Sequence, residues 1–391
     1  MTAEPTAPTS TANTTTSASA SPDEQPWFAR FVYPGLADAR PYDASHHDYA
    51  WRHRELHRLM SNECPLPPAP AVVAAAIEAL MESNLYPNSA WELREALAQV
   101  NDVPPDSIIL GNGSTEVLDV LIRSMFGAGD EAVIHIPTYA YFETQIRLHG
   151  GTAVLVPIQP DHSFDPDALI AAITPRTKGI FLCSPNNPTG NSWTVPELER
   201  VLATGLPVIV DQAYVECGYG PSFAPLVARH RNLIVARTMS KAYGLGGLRV
   251  GYLIADPALV DLLLRLRIPF SISLVAARAC LAAVVDPAIL EERRVYISTE
   301  RDLVFAGLQR LPNVTPFPSE GNFILMDVSA TGRTSTEITD FAKREGLLLL
   351  RAVTAHGLGS GHVRVTIGTR EENDMFLEIL ARAIGASETV G

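Results

Sequence analysis

Between about residues 105 and 255, short apolar runs alternate with amphipathic stretches, and no other feature limits the fold of this chain as much. The runs are Ser107–Leu110, Ala132–Ile136, Ala153–Val156, Gly179–Cys183, Pro207–Val210, Asn232–Ala236 and Arg249–Ile254. Several are nearly continuous in Val, Ile and Leu. A strand covered on both faces presents no polar side, so such runs fit the inner strands of a sheet sandwiched by helices. The stretches Glu116–Phe126, Tyr139–His149 and Pro196–Ala203 read as those helices. Strand and helix in alternation predict an α/β fold with a mostly parallel, seven-stranded sheet.

Beyond residue 256 the pattern changes. A long helical stretch covers roughly 257–310. Short strands near Asn322–Asp327, Leu347–Leu350 and Val363–Ile367 then flank a helix at Ser335–Glu345, and a last helix begins near Glu371. These make a smaller α+β module, and 391 residues suffice for two domains. Residues 1–26 are mostly Thr, Ala, Ser and Pro and cannot bury enough surface to offset their ordering entropy. They lack the basic start and apolar stretch of a secretory leader and the arginines of a transit peptide. The expected division is a disordered tail at 1–26, an N-terminal arm with part of the small domain at 27–80, a large domain at 81–270 and a C-terminal small domain at 271–391.

Charge and cysteine content narrow the function classes. A formal net charge of −13, from 43 acidic and 30 basic residues, argues against nucleic acid and anionic membranes as partners. A local basic pocket for a small anion stays open. No apolar run has membrane-spanning length. Cys64, Cys183, Cys217 and Cys280 form no C-x-x-C pair, so neither a zinc site nor a dense disulfide framework is indicated, and a reducing, cytoplasmic setting is the plain reading.

The segment Arg237–Tyr252 carries the chemistry. It follows an apolar strand, is rich in glycine and holds Ser240, Lys241 and Arg249. In doubly wound sheets ligands collect outside the carboxyl ends of strands. A lysine there, desolvated or beside a cation, can lose its proton and attack a carbonyl. Ser240 and Arg249 offer a hydroxyl and a forked cation to a phosphate. An isolated Ser-Lys would be a surface lysine in a loop. Here other pieces accompany it. Ser184–Gly190 follows one apolar strand and by itself is only a turn. Asp211 closes the next strand, where it either caps a turn or holds a proton on a pyridine nitrogen. Gly111–Thr115 joins a strand to a helix whose N-terminus favours an anion. His53 and His57, at i and i+4, would share a helix face, with His46 and His47 nearby. The order His-Arg-Glu-Leu-His lacks the Glu that zinc peptidases carry after the first His, so a solvated face is the better reading and no metal is expected.

Order and spacing together resemble the fold type I, class I/II aminotransferases, and most closely their histidinol-phosphate aminotransferase branch. The resemblance runs from about Leu59 to the C-terminus. It rests on SPNNPTG (Ser184–Gly190), DQAY (Asp211–Tyr214), RTMSK (Arg237–Lys241) with GLGGLRVG (Gly244–Gly251), and VRVTIGTREE (Val363–Glu372). It implies pyridoxal 5′-phosphate (PLP) as cofactor, bound in the large domain, and transamination between an amino acid, by family expectation L-glutamate, and a carbonyl acceptor. Lys241 would carry the cofactor as a Schiff base and shuttle the proton. Asp211 would pair with the pyridine nitrogen, Asn187 and Tyr214 would bond the ring's 3-oxygen, and Tyr139 would stack on the ring. Ser114, Thr115, Ser240 and Arg249 would hold the phosphate, with Tyr86 reaching the neighbouring subunit's cofactor in a homodimer with shared sites. Arg364 would grip the substrate carboxylate, Arg351 a substrate phosphate, and Tyr42 would cover the substrate.

The chain also departs from the family. Gln212 stands where Glu is usual, Cys64 stands in an Asn-Glu-Asn-Pro run, and residues 43–58 are longer and more charged. These changes bear on the substrate more than on the cofactor. They keep a PLP decarboxylase or a cyclase/dehydratase of specialised amino-acid metabolism as the alternative. A PLP-sensing transcription regulator would need a DNA-binding module that the N-terminal tail cannot form.

Overall fold

The computed structural model describes residues 43–386. Its strands in chain order are β1 (His57–Arg58), β2 (Ile108–Asn112), β3 (Glu131–Ile136), β4 (Thr152–Pro157), β5 (Thr177–Cys183), β6 (Val208–Asp211), β7 (Leu233–Thr238), β8 (Val250–Ile254), β9 (Thr315–Pro316), β10 (Phe323–Asp327), β11 (Leu348–Leu349), β12 (Arg351–Ala352) and β13 (His362–Thr366). The helices are α1 (Ser45–Arg52), α2 (Pro70–Leu80), α3 (Trp91–Asn101), α4 (Gly113–Met125), α5 (Tyr141–Leu148), α6 (Pro166–Ala171), α7 (Val195–Leu202), α8 (Pro257–Leu264), α9 (Leu274–Val285), α10 (Pro287–Gln309), α11 (Ser335–Gly346) and α12 (Arg370–Ala383).

The seven apolar runs become one sheet, in the order β2-β8-β7-β6-β5-β3-β4. Strands β3 to β7 pair in parallel, while β8 runs antiparallel to both β7 and β2. The reversal at β8 follows from its short link to β7, residues 239–249, which has no crossover helix to bring the chain back parallel. Side chains alternate between two cores. Ile180 and Leu182 of β5 join Val208, Val210, Leu233 and Val235 in one, lined by Leu93 of α3 and Leu198 of α7. Phe181, Ile209 and Ile234 point the other way, toward Val117 and Leu121 of α4, Phe142 of α5 and Leu263 of α8. Both faces are apolar, which is why the runs lack a polar period.

The smaller sheet has the order β12-β13-β10-β9. Its core joins Ile324 and Val365 to Leu308 of α10, Ile338 of α11 and Phe376 of α12. The helical stretch expected over 257–310 is three helices. Pro269 lies in the first break, and Asp286 caps α10 with Pro287 at its first position. Of the expected strand Leu347–Leu350 only Leu348–Leu349 forms β11, which pairs with β1, and β12 follows just beyond it in the small sheet.

One expectation is corrected. His53 and His57 do not share a helix face, because α1 ends at Arg52 and His57 lies in β1. The His57 amide donates to Leu347 O at 2.8 Å, and its Nδ1 lies 2.9 Å from Glu372 Oε1. That pairing with β11 outweighs the local helical spacing. Among the described residues no helix is long and apolar enough to cross a membrane.

Candidate active site

The short link that reverses the chain after β7 carries Lys241 out beyond the carboxyl ends of β5, β6 and β7. Lys241 is half-buried; its Nζ donates to Ser61 O at 3.1 Å and sits 5.4 Å from the centre of the Tyr214 ring. Burial, with Arg364 close by, pushes its pKa down to about 8. An appreciable minority of the amine is therefore uncharged near neutral pH, far more than for a solvated lysine, as a nucleophile or proton carrier requires.

Asp211 ends β6 in register with Cys183 of β5 and Ala236 of β7, so it is enclosed on both sides. Its Oδ1 accepts the Ala213 N–H at 2.9 Å. Burial pushes the carboxyl up to about 6, against the pull of Lys241. A buried carboxylate with so little compensation favours a cationic group beside it, which is what a protonated pyridine provides. Tyr214, three residues further on, is buried, and its hydroxyl accepts from Asn62 Nδ2 at 3.0 Å. Asn187 binds Arg364 through its side-chain oxygen, and Arg364 Nη2 also donates to Met60 O at 2.9 Å. Asn186 ties the neighbouring loop in place, donating to Pro137 O at 3.0 Å and accepting from Thr138 Oγ1 at 2.8 Å. Tyr139, next in the chain after Thr138, is half-buried and stacked near Tyr141 with ring centres 5.7 Å apart. It lines a cleft of about 200 Å³ whose other wall is Thr354–His356.

The anion cradle forms at the start of α4. Ser114 and Thr115 occupy its first turn, and the Gly113 amide donates to Arg249 O at 2.9 Å. Gly113 has φ +77°, and a Cβ there would run into the Arg249 guanidinium; a Cβ on Gly251 would meet the Ser114 backbone. Arg249 Nη1 donates to Ser240 Oγ at 3.3 Å, and Ser240 bonds Thr238 Oγ1 at 2.9 Å. A helix N-terminus, two hydroxyls and a guanidinium thus meet where glycine leaves the backbone open, and this donor set suits a phosphate.

Arg351 and Arg364 face each other in register across β12 and β13. Directly opposed side chains of an antiparallel pair share a face, and like charges there repel. Arg351 is exposed and Arg364 half-buried. An anion between them would relieve the repulsion.

The remaining expected residues fall elsewhere. Tyr86 is 85 % exposed and tilts against Phe270, with ring centres 5.4 Å apart, on a surface with Leu85 and Ile268. Tyr42 lies outside the described residues. Gln212 is buried and structural: it accepts from Phe223 N and Arg237 Nη2 and donates to Pro221 O. Sequence reasoning missed the part of Met60, Ser61 and Asn62, which bind Arg364, Lys241 and Tyr214 from more than 150 positions away. Two of the three contacts use backbone carbonyls, for which no residue type is a signal.

The model for the family described as aminotransferase class I and II matches residues 54–380. The chain is 35% identical over 340 residues to a histidinol-phosphate aminotransferase of Methanothermobacter thermautotrophicus, covering 86% of this chain and 91% of that protein. It is 38% identical over 337 residues to one from an Anaeromyxobacter species, covering 84% and 91%. Among solved structures it resembles histidinol-phosphate aminotransferase from Sinorhizobium meliloti in complex with pyridoxal 5′-phosphate, with TM-score 0.80, 27% identity, and coverage of 91% of this chain and 98% of that one.

Proposed function

The chain belongs to the aminotransferase class I and II family, and on that premise we propose that it exchanges an amino group between L-glutamate and a phosphorylated substrate of the histidinol-phosphate kind. That it is a PLP-dependent aminotransferase follows from the family and its relatives. The donor, the acceptor and the residue roles below are our reading. What carries it is the meeting of Tyr214 and Lys241 beside Asp211, with Arg364 bound to Asn187 and opposed in register by Arg351 on the small sheet.

Bound PLP supplies an electron-withdrawing pyridinium that spreads the charge left when a proton departs from the substrate carbon beside nitrogen. Asp211 would hold the proton on the ring nitrogen, its buried carboxylate gaining a cation in return. Asn187 and Tyr214 would bind the ring oxygen, Tyr139 would cover the ring, and Ser114, Thr115, Ser240 and Arg249 would hold the phosphate. Lys241, in its uncharged form, would take the proton from the substrate carbon and return it on the other side of the exchange. Arg364 holds the substrate's carboxylate when the substrate is an amino acid, and Arg351 a distal anion.

We further take the protein to be a cytoplasmic homodimer with shared sites, its large domain at 81–270 binding the cofactor. Supporting the dimer are the exposed Tyr86 and an apolar groove of about 380 Å³ between α2 and the Gly244–Leu248 loop, lined by Val73, Ile77 and Leu80. The decarboxylase or cyclase alternative is not favoured, since the relatives above are aminotransferases.

The test is the visible spectrum of the PLP-loaded protein on adding L-glutamate or histidinol phosphate, with Lys241→Ala beside it. Both amines should convert the bound cofactor to pyridoxamine phosphate in the unaltered protein and neither in the variant. A Lys241-dependent band that neither amine changes would sink the reading.

A further inference from the structure

The segment from Arg58 to Glu63 touches the site at three points, and the reading above gives it no task. Met60 O accepts from Arg364 Nη2 at 2.9 Å, Ser61 O accepts from Lys241 Nζ at 3.1 Å, and Asn62 Nδ2 donates to the Tyr214 hydroxyl at 3.0 Å. The segment is laid along the end of β13. Thr366 N donates to Leu59 O at 2.9 Å, and Asn62 N donates to Thr366 Oγ1 at 2.8 Å. Asn322, just before β10, donates to the carbonyls of Asn62 and Glu63 at 2.9 and 3.2 Å. One short peptide thus gathers a group from β13, one from the link after β7 and one from just beyond β6.

Asn62 turns this segment with φ +54°, in the left-handed region that a residue with a Cβ adopts reluctantly. A fork closes the turn across its ends. Arg58 Nε donates to Glu63 Oε2 at 3.0 Å, and Arg58 Nη2 donates to Glu63 Oε1 at 2.7 Å. Both side chains belong to half-buried residues, and the Arg58 guanidinium also lies 5.3 Å from the centre of the Trp51 ring of α1. A bidentate pair fixes direction as well as distance, so it opposes relaxation of the turn. The fork binds the ends of the segment, and the site groups bind its middle.

We propose that the Arg58–Glu63 pair is a positioning device for Lys241: it holds the Ser61 carbonyl in place as the acceptor on which the lysine amine docks whenever that amine is not bonded to the cofactor. This rests on the reaction proposed above, in which Lys241 carries a proton. An amine has one lone pair, and donating an N–H to a fixed carbonyl sets the direction of that lone pair. The carbonyl also favours the ammonium form over the neutral one. Among the charges around the amine, Glu63 and Cys217 act in the same sense, while Arg364 and Arg249 act against it together with burial. Asp211 and His47 also feel its charge, and the Tyr214 ring lies 5.4 Å away.

The test is the pH dependence of PLP capture by the cofactor-free full chain, followed in stopped flow. The proteins are the unaltered one, Arg58→Met, Arg58→Lys, Glu63→Gln and Arg54→Met, the last removing the other cation over Trp51. With the carbonyl released, the ammonium form is less favoured. Arg58→Met and Glu63→Gln should therefore both lower the midpoint, by roughly half a pH unit to one unit. Charge alone gives a different result, since losing a cation raises the midpoint and losing an anion lowers it. Opposite shifts, or an unmoved midpoint in Arg58→Met, overturn the proposal. Arg58→Lys keeps the cation and should lie between Arg58→Met and the unaltered protein; Arg54→Met should match the unaltered protein. In the PLP-loaded chain, Arg58→Met and Glu63→Gln should slow the limiting rate of the glutamate half-reaction roughly ten- to hundredfold. The half-saturating glutamate concentration should stay as it was, because the pair acts on the amine. A loss confined to glutamate saturation, with the rate intact, also overturns the proposal. If the unaltered protein captures PLP but glutamate leaves the bound cofactor unchanged, the proposed reaction falls, and the capture midpoints alone decide whether the pair positions the amine.

Discussion

A lysine that exchanges protons with a substrate near neutral pH must be partly uncharged there, and Lys241 reaches this state through burial and the nearby Arg364. Its neutral fraction rises as pH rises through about 8. The cofactor-free protein should accordingly capture PLP faster with increasing pH and level off above that value, as followed by absorbance in stopped flow. Arg364→Leu removes a neighbouring cation, which favours protonated Lys241, so the midpoint should move to higher pH. An unmoved midpoint would mean that burial alone sets it. Asp211 is the complementary case, a carboxyl pushed up to about 6 by the same kind of enclosure. Asp211→Asn keeps an acceptor for the Ala213 amide but no longer favours a cation. It should slow the glutamate half-reaction on the order of a hundredfold. The melting temperature of the cofactor-free protein should hold or rise, because a desolvated charge has been removed.

At the scale of elements, the cradle depends on how β8 meets α4. Gly113 adopts φ +77°, and its missing Cβ leaves room for the Arg249 guanidinium. A left-handed residue other than glycine costs about 1–2 kcal/mol, and here the side chain would also displace the Arg249 guanidinium, the proposed phosphate ligand. Gly113→Ala should therefore fold, melt a few degrees lower and retain much less PLP after dialysis; full retention would argue against this cradle. Strands β12 and β13 set another such relation, bringing Arg351 opposite Arg364. The thirteen-residue separation of the two arginines is visible in the sequence, but their register is not. It depends on a return loop, residues 353–361, that carries no repeating pattern. The same holds for His53 and His57, where helical spacing was present and a long-range strand pairing prevailed.

For the molecule as a whole, the exposed Tyr86 and the apolar groove beside α2 predict sites completed by a second copy. Sedimentation should show a dimer. Lys241→Ala and Tyr86→Ala proteins, dissociated and reassociated together, should recover activity beyond their sum, up to about a quarter of the unaltered level by statistical pairing in a twofold dimer. No recovery from a confirmed mixed dimer would place Tyr86 outside the neighbouring site.

The large sheet, the lysine loop and the identity of its companions were legible because each depends on local information. Apolar runs declare strands buried on both faces, and glycine, asparagine and proline declare the turns that follow them. The motifs Ser184–Gly190, Asp211–Tyr214 and Arg237–Lys241 then mark which strand ends carry chemistry. The tertiary structure alone decided what surrounds those groups. It brings Met60, Ser61 and Asn62 against Arg364, Lys241 and Tyr214, and sets Arg351 opposite Arg364. These relations join residues far apart in the chain, often through backbone carbonyls that every residue type possesses. Composition and spacing carry no record of them, because they arise only when separately folded segments compete for the same buried space and the same hydrogen bonds.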